Sequence, residues 1–302
     1  MQKNNSGDFI TMGDEKYIQP LLVAAHQISK LHPQSTYFIY DCGLSQESVS
    51  RLKSVSDNIV ISHWTLRYLP VKQHYSNSFM LMKCLGMFRD LLLNTFTKNN
   101  QQRSLDSFIR QYDFEIKIQN KLQIIKFHND EHQSPFIFLD ADAFPVNKLD
   151  EVFEADYDIG LTLRPKEDQS DSYNNCRLLN VGFMAFVGTY EINKTLINEW
   201  STWARRSDEL CSEQTSLTRL LQKFAPELFQ DKINVEMALQ GMNIKIAFIP
   251  YNIYNYTKIE LLSVPKDLQN IKILHFKNDR FSSRKFSEIA NALELFPQQY
   301  QR

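Results

Sequence analysis

Apolar and polar positions change period in a regular order along the first sixty residues. Asp8-Phe-Ile-Thr-Met12 reads as a short strand, and from Asp14 to Lys30 the apolar residues Ile18, Leu21, Leu22, Ala25 and Ile28 fall at helical spacing. Thr36-Tyr-Phe-Ile-Tyr40 is an aromatic, β-branched strand. Ser45 is placed to cap a helix that runs through Leu52, with Glu47 and Ser48 in its first turn. Asn58-Ile-Val-Ile-Ser62 is a third strand. A βαβαβ order predicts a parallel sheet with helices on both faces.

Ser78 to Phe96 predicts a helix rich in Met and Leu that carries Lys83 and Arg89, a Met stripe that reads as core. From Lys98 to Gln133 the chain turns polar and mixed in charge. This reads as an inserted helical excursion, helical over Leu105 to Ile125, with a lid, a partner surface or solvated padding as its uses. Pro135-Phe-Ile-Phe-Leu-Asp-Ala-Asp-Ala-Phe-Pro145 is a buried strand that runs into two carboxylates. Strands follow at Asp158 to Leu163 and Leu178 to Val187, joined by a polar loop, the second broken by Asn180 and Gly182. Helices at Ile192 to Arg205, Glu213 to Phe224 and Ser287 to Leu295, and strands at Ile244 to Ile249 and Ile271 to Leu274, complete the pattern. The expectation is one α/β domain over residues 1–302, with the insertion at 98–133 and a C-terminal tail at 276–302.

Composition narrows the functional classes. Of 302 residues, 43% are hydrophobic and 23% charged, with a formal net charge of −1. That is enough apolar surface to fold, and too little positive charge for a strongly basic nucleic-acid binder. No run of about 18 apolar residues occurs, so no membrane-spanning helix is predicted, leaving peripheral membrane contact open. Met1 to Asp8 has no apolar segment after its lysine, which argues against a secretory signal. Cys42, Cys84, Cys176 and Cys211 lie far apart, as expected of reduced thiols. The default address is the cytoplasm, with export lacking a cleaved signal as the alternative. Asn4, Asn193 and Asn255 open N-x-[ST] triplets that read as chance matches.

Candidate chemistry concentrates at Asp140 and Asp142. In an extended segment, residues two apart point to the same side, so the two aspartates face together while Ala141 points away. The apolar run Phe136 to Leu139 marks a central parallel strand, and ligands bind at the carboxyl edge of such sheets. Two adjacent carboxylates repel unless a cation separates them, and Mg²⁺ or Mn²⁺ with substrate phosphates suits such oxygen ligands. The chain has neither GxGxxG nor GxxxxGK[ST], so bound phosphates would need the metal and side-chain cations. His128-Asn-Asp-Glu-His132 invites a zinc reading, but it is not HExxH and lies in the polar excursion.

With these residues in place, the sequence resembles the nucleotide-diphospho-sugar transferases of the GT-A fold. It is most similar to the glycogenin-like and bacterial lipopolysaccharide galactosyltransferase group. Five segments carry the resemblance in family order: Phe9 to Tyr17, Leu139 to Ala143, Leu179 to Phe186, Glu213-Gln214, and Ile273 to Lys277. The glycine that usually follows the late histidine is absent, since the run is His275-Phe-Lys-Asn-Asp-Arg280. The resemblance implies a Rossmann-like, mixed but mostly parallel central sheet flanked by helices.

It also implies a nucleotide-diphosphate sugar donor and a metal, Mn²⁺ or Mg²⁺, held by Asp140, Asp142 and His275. Asp140 either shares that metal or bonds the ribose. Thr11, Met12 and Gly13 meet the base or ribose, although Gly13 also suits a plain turn. Lys83 and Lys277 offset the diphosphate, and Gly182 lets the donor sugar lie close. Asn180, Glu213 and Gln214 are the catalytic candidates. Inversion follows if Glu213 deprotonates the acceptor; retention, the outcome the family implies, follows if Gln214 backs front-face departure. The acceptor hydroxyl is left open among glycan, lipid, protein and modified base. The alternatives are a sugar-nucleotide nucleotidyltransferase and a non-catalytic nucleotide-sugar or partner-binding domain.

Overall fold

A computed structural model describes residues 7–66, 119–165, 178–206, 212–224, 234–277 and 284–294. The first strands and helices follow the predicted alternation: β1 (Asp8–Gly13), α1 (Ile18–Leu31), β2 (Tyr37–Asp41), α2 (Gln46–Lys53) and β3 (Ile59–His63). Helix α1 starts later than expected because a 3-10 turn, Glu15–Tyr17, precedes it. Ser45 caps α2 as predicted, its hydroxyl accepting from the Ser48 N–H. Next come helix α3 over residues 119–132, then β4 (Phe136–Leu139), β5 (Ala143–Pro145), β6 (Ile159–Leu163) and β7 (Leu179–Phe186). Helices α4 (Tyr190–Arg206) and α5 (Ser212–Phe224), strands β8 (Asn234–Leu239), β9 (Met242–Ile249) and β10 (Ile273–His275), and helix α6 (Arg284–Ala292) complete the order. The predicted helix at Ser78 to Phe96, with Lys83, lies outside the described residues, as do Cys84, Cys176, Cys211 and Arg280.

Eight strands form one sheet in the order β3-β2-β1-β4-β7-β6-β9-β8. Strands β1 to β4 are mutually parallel, β6 and β9 share their direction, and β7 and β8 run against it. The sheet is therefore mixed but mostly parallel, with helices packed on it, as the βαβαβ pattern implied. Both faces are apolar, and the strands show it residue by residue. Phe9, Ile137, Leu139 and Phe183 enter the core that also holds α1. Ile10, Phe136, Phe138 and Met184 enter the opposite core with α3, α4 and α5. This is the period of two expected of a strand buried on both sides.

Two expectations need correction. The described end of the polar 98–133 segment is not solvated padding, because Leu122, Ile124, Ile125, His128 and Asn129 of α3 are buried against the sheet. Of the histidines read for zinc, His128 is buried in this packing and His132 is exposed at its edge. The His128 and His132 rings are 4.4 Å apart, and the His128 Nδ1 is 3.0 Å from the Tyr40 hydroxyl. The late strand, in turn, does not join the main sheet. β10 pairs antiparallel with the three-residue β5 as a separate ribbon, His275 opposite Ala143. A short apolar run does not encode which partner it finds.

Candidate active site at the carboxyl edge of the sheet

Six strands end at one edge, and β7 begins there. Gly13, Asp41, Asp140, Thr162 and Asn180 therefore gather near the same rim. Asp140 leaves β4 with its N–H bonded to the Gly182 carbonyl at 2.9 Å. The Ala143 N–H then bonds the Asp140 carbonyl at 2.9 Å, closing a turn. The two aspartates thus converge through a turn, not through the extended alternation expected. From the ribbon, His275 closes over them. Its Nε2 is 3.2 Å from an Asp142 oxygen and 3.7 Å from an Asp140 oxygen. The two carboxylates and the imidazole each offer a ligand atom, all within 4.8 Å of one another. Two hard oxygens and one nitrogen, partly open to solvent on the aspartate side, fit Mn²⁺ or Mg²⁺.

Gly182 shows why this strand is interrupted. A Cβ there would stand 2.2 Å from His275 Cε1 and 3.0 Å from an Asp140 oxygen. What lies against the glycine is the imidazole ring. Beneath that ring is a buried polar layer: Asn255 Oδ1 is 2.7 Å from His275 Nδ1. The Asn255 amide donates to the Thr162 hydroxyl at 2.8 Å and to the Asn180 carbonyl at 3.0 Å. Asn180 is itself buried; its Oδ1 accepts from the Gly182 N–H and its amide reaches the Tyr251 hydroxyl at 3.5 Å.

Lys121, from α3, brings a cation to the site that sequence reasoning missed. Its ammonium donates to Asp140 at 2.6 Å and to the Val181 carbonyl at 2.9 Å, and lies 4.8 Å from the Phe138 ring centroid. Almost no surface of Lys121 remains exposed, so its charge is held in place at the carboxylates.

The other candidates are placed as follows. Thr11 is fully buried beside Tyr37, leaving Met12 and Gly13 at the tip of β1. A Cβ on Gly13 would stand 2.9 Å from Leu21 and 3.4 Å from Ala141, so the glycine serves the packing of α1 against the aspartate turn. Glu213 and Gln214 occupy the buried first turn of α5. There the Trp200 indole N–H donates to the Glu213 carbonyl at 2.7 Å. Ser212 is the first residue of that helix. Lys277 follows the buried Phe276 just beyond the ribbon. Arg284 and Lys285, farther on, both pair with Glu288 on α6. The N-x-[ST] asparagines Asn193 and Asn255 are buried, in keeping with chance matches. Among the described residues no helix is long and apolar enough to cross a membrane.

Comparison with known proteins agrees with this geometry. The sequence pattern of the nucleotide-diphospho-sugar transferase family matches residues 131–279, just under half of the chain, including both aspartates and His275. The fold is similar to that of the galactosyltransferase LgtC, solved with donor and acceptor sugar analogues. That likeness has a TM-score of 0.52 at 11% identity and covers 97% of this chain and 98% of that one. It is also similar to the bifunctional glycosyltransferase WbbM, with a TM-score of 0.55 at 10% identity, over 98% of this chain and 51% of that one. No curated protein matches the sequence. The fold is therefore that of the GT-A glycosyltransferases. The half of the chain that holds Asp140, Asp142 and His275 carries the sequence pattern of the nucleotide-diphospho-sugar transferases.

Proposed function

We propose that this protein uses a divalent cation to move a sugar from a nucleotide-diphosphate donor to an acceptor hydroxyl, with retention at the anomeric carbon. The observation that carries the cation dependence is the convergence of Asp140, Asp142 and His275 at the carboxyl edge of the sheet. When bound there, Mn²⁺ or Mg²⁺ supplies Lewis-acid neutralisation of the leaving diphosphate. Lys121 adds a fixed positive charge beside Asp140, and Lys277 follows His275 on the same approach. Met12 and Gly13 take the base or ribose. Glu213 and Gln214 face the anomeric centre, where a carboxylate or amide oxygen lowers the energy of an oxocarbenium-like state. Acceptor binding is assigned to a cleft of about 360 Å³ lined by Leu163, Tyr251, Asn252, Tyr256, Thr257 and Lys258. Its Tyr251 hydroxyl joins the Asn180 amide beneath the site.

Donor hydrolysis across a panel of nucleotide sugars with Mn²⁺ tests this reading. Turnover is expected with one donor, and both chelator and Asp142→Ala abolish it. Activity that survives both removes the cation mechanism.

A further inference from the structure

The ring of His275 has one nitrogen toward the carboxylates and the other buried against Asn255. Which nitrogen carries the proton decides what the site can hold, because a neutral imidazole accepts at only one of them. The bonds around Asn255 fix the answer. The Asn180 carbonyl can only accept, so the Asn255 group 3.0 Å from it must be the NH₂. The Thr162 hydroxyl gives its own hydrogen to that same carbonyl at 2.7 Å, which leaves its lone pair for the second Asn255 hydrogen. The amide oxygen is therefore turned to His275, and an amide oxygen cannot donate. His275 Nδ1 must supply the hydrogen, so in the neutral ring it is Nε2 that keeps the lone pair, facing Asp140 and Asp142. Asn255 is 0% exposed and Thr162 1%, so water has no access to replace either bond.

We infer that Asn255 is a positioning residue that, held by Thr162 and the Asn180 carbonyl, sets the tautomer of His275 and so gives the proposed cation site its nitrogen ligand. Without it the buried Nδ1 loses its acceptor. The ring then places its proton on Nε2, bonds Asp142 directly and shuts the cation out. The inference rests on the cation reading above, and it names residues that act through His275 without touching substrate.

Two measurements test it. Long-range ¹H–¹⁵N correlation of the metal-free protein, at a pH where the ring is neutral, reads the His275 tautomer, with His275→Gln assigning the resonance. The expected result is the proton on Nδ1 in the wild type and on Nε2 in Asn255→Ala. Titration with Mn²⁺ followed by its paramagnetic resonance reads affinity. Asn255→Ala is expected to weaken binding by about 10–100-fold. Should Asn255→Ala fail to fold, Thr162→Val takes its place with a smaller loss in the same direction, and the wild-type tautomer still decides. A wild-type proton on Nε2, or unchanged Mn²⁺ affinity in a folded Asn255→Ala, overturns the inference. If the wild type binds no divalent cation, the cation reading fails, while the tautomer measurement still judges what Asn255 does to His275.

Discussion

Gly182 has one side filled by the His275 ring, and any side chain there must displace it. Gly182→Ala is therefore expected to keep the sheet and lose divalent-cation affinity. A circular dichroism spectrum like the wild type's, beside a Mn²⁺ titration weakened by about tenfold or more, would bear this out. Lys121 acts through charge: Lys121→Met is expected to lower turnover by about 100- to 1,000-fold, the cost of removing one preorganised electrostatic donor. Its melting temperature should move by only a few degrees, because Asp140 is partly open to water that can take over its solvation. Asp140 and Asp142 stand out in the sequence because they follow an apolar strand, and His275 chiefly because the family resemblance points to it. Lys121, Thr162 and Asn255 do not. A single polar residue within an apolar run looks like a solvated or capping residue until its partner is known. In the sequence Asn255 stands out only as the head of an N-x-T triplet, and Thr162 is one position in the strand from Asp158 to Leu163.

Helix α5 carries Glu213 and Gln214, and it is pinned at its start by one indole. The Trp200 N–H donates to the Glu213 carbonyl at 2.7 Å and to the Ser216 hydroxyl at 3.1 Å, all of it buried. Trp200→Phe leaves these acceptors without that donor and is expected to cost about 1–3 kcal/mol, read as a lower urea midpoint. At this scale the sequence pattern did well where burial is two-sided. The strands from Phe9 to Ile61 and the run Phe136 to Leu139 announce themselves as apolar. It failed at β8, whose residues Asn234, Glu236 and Ala238 are exposed while only Met237 and Leu239 are buried, the signature of an edge strand. It also misplaced β10, because three residues of strand carry no information about whether they extend a sheet or pair with β5.

Across the whole molecule, the rim opposite the site holds a titrating group in an apolar setting. Burial, with a smaller contribution from His132, holds the His128 imidazole down to about 3, against an ordinary 6.5. A group depressed in this way contributes its stability in full above the ordinary value and loses it as pH falls toward the folded one. Asp8 works in the opposite sense: burial raises its carboxyl above the usual 3.8, so it favours the fold at low pH and that contribution fades as pH rises. The His128 window is the wider, so unfolding free energy is expected to fall between about pH 6.5 and about pH 4. Urea melts across that range check it, and His128→Gln should flatten the slope. The ribbon of β5 and β10 has a consequence for assembly. Its strands come from distant parts of the chain, and the Phe276 N–H locks onto the Asp142 carbonyl at 2.7 Å. On a ribosome, both aspartates emerge long before His275 does. Asp140, Asp142 and His275 can therefore come together only once the ribbon has closed, and until then the proposed ion lacks its nitrogen ligand.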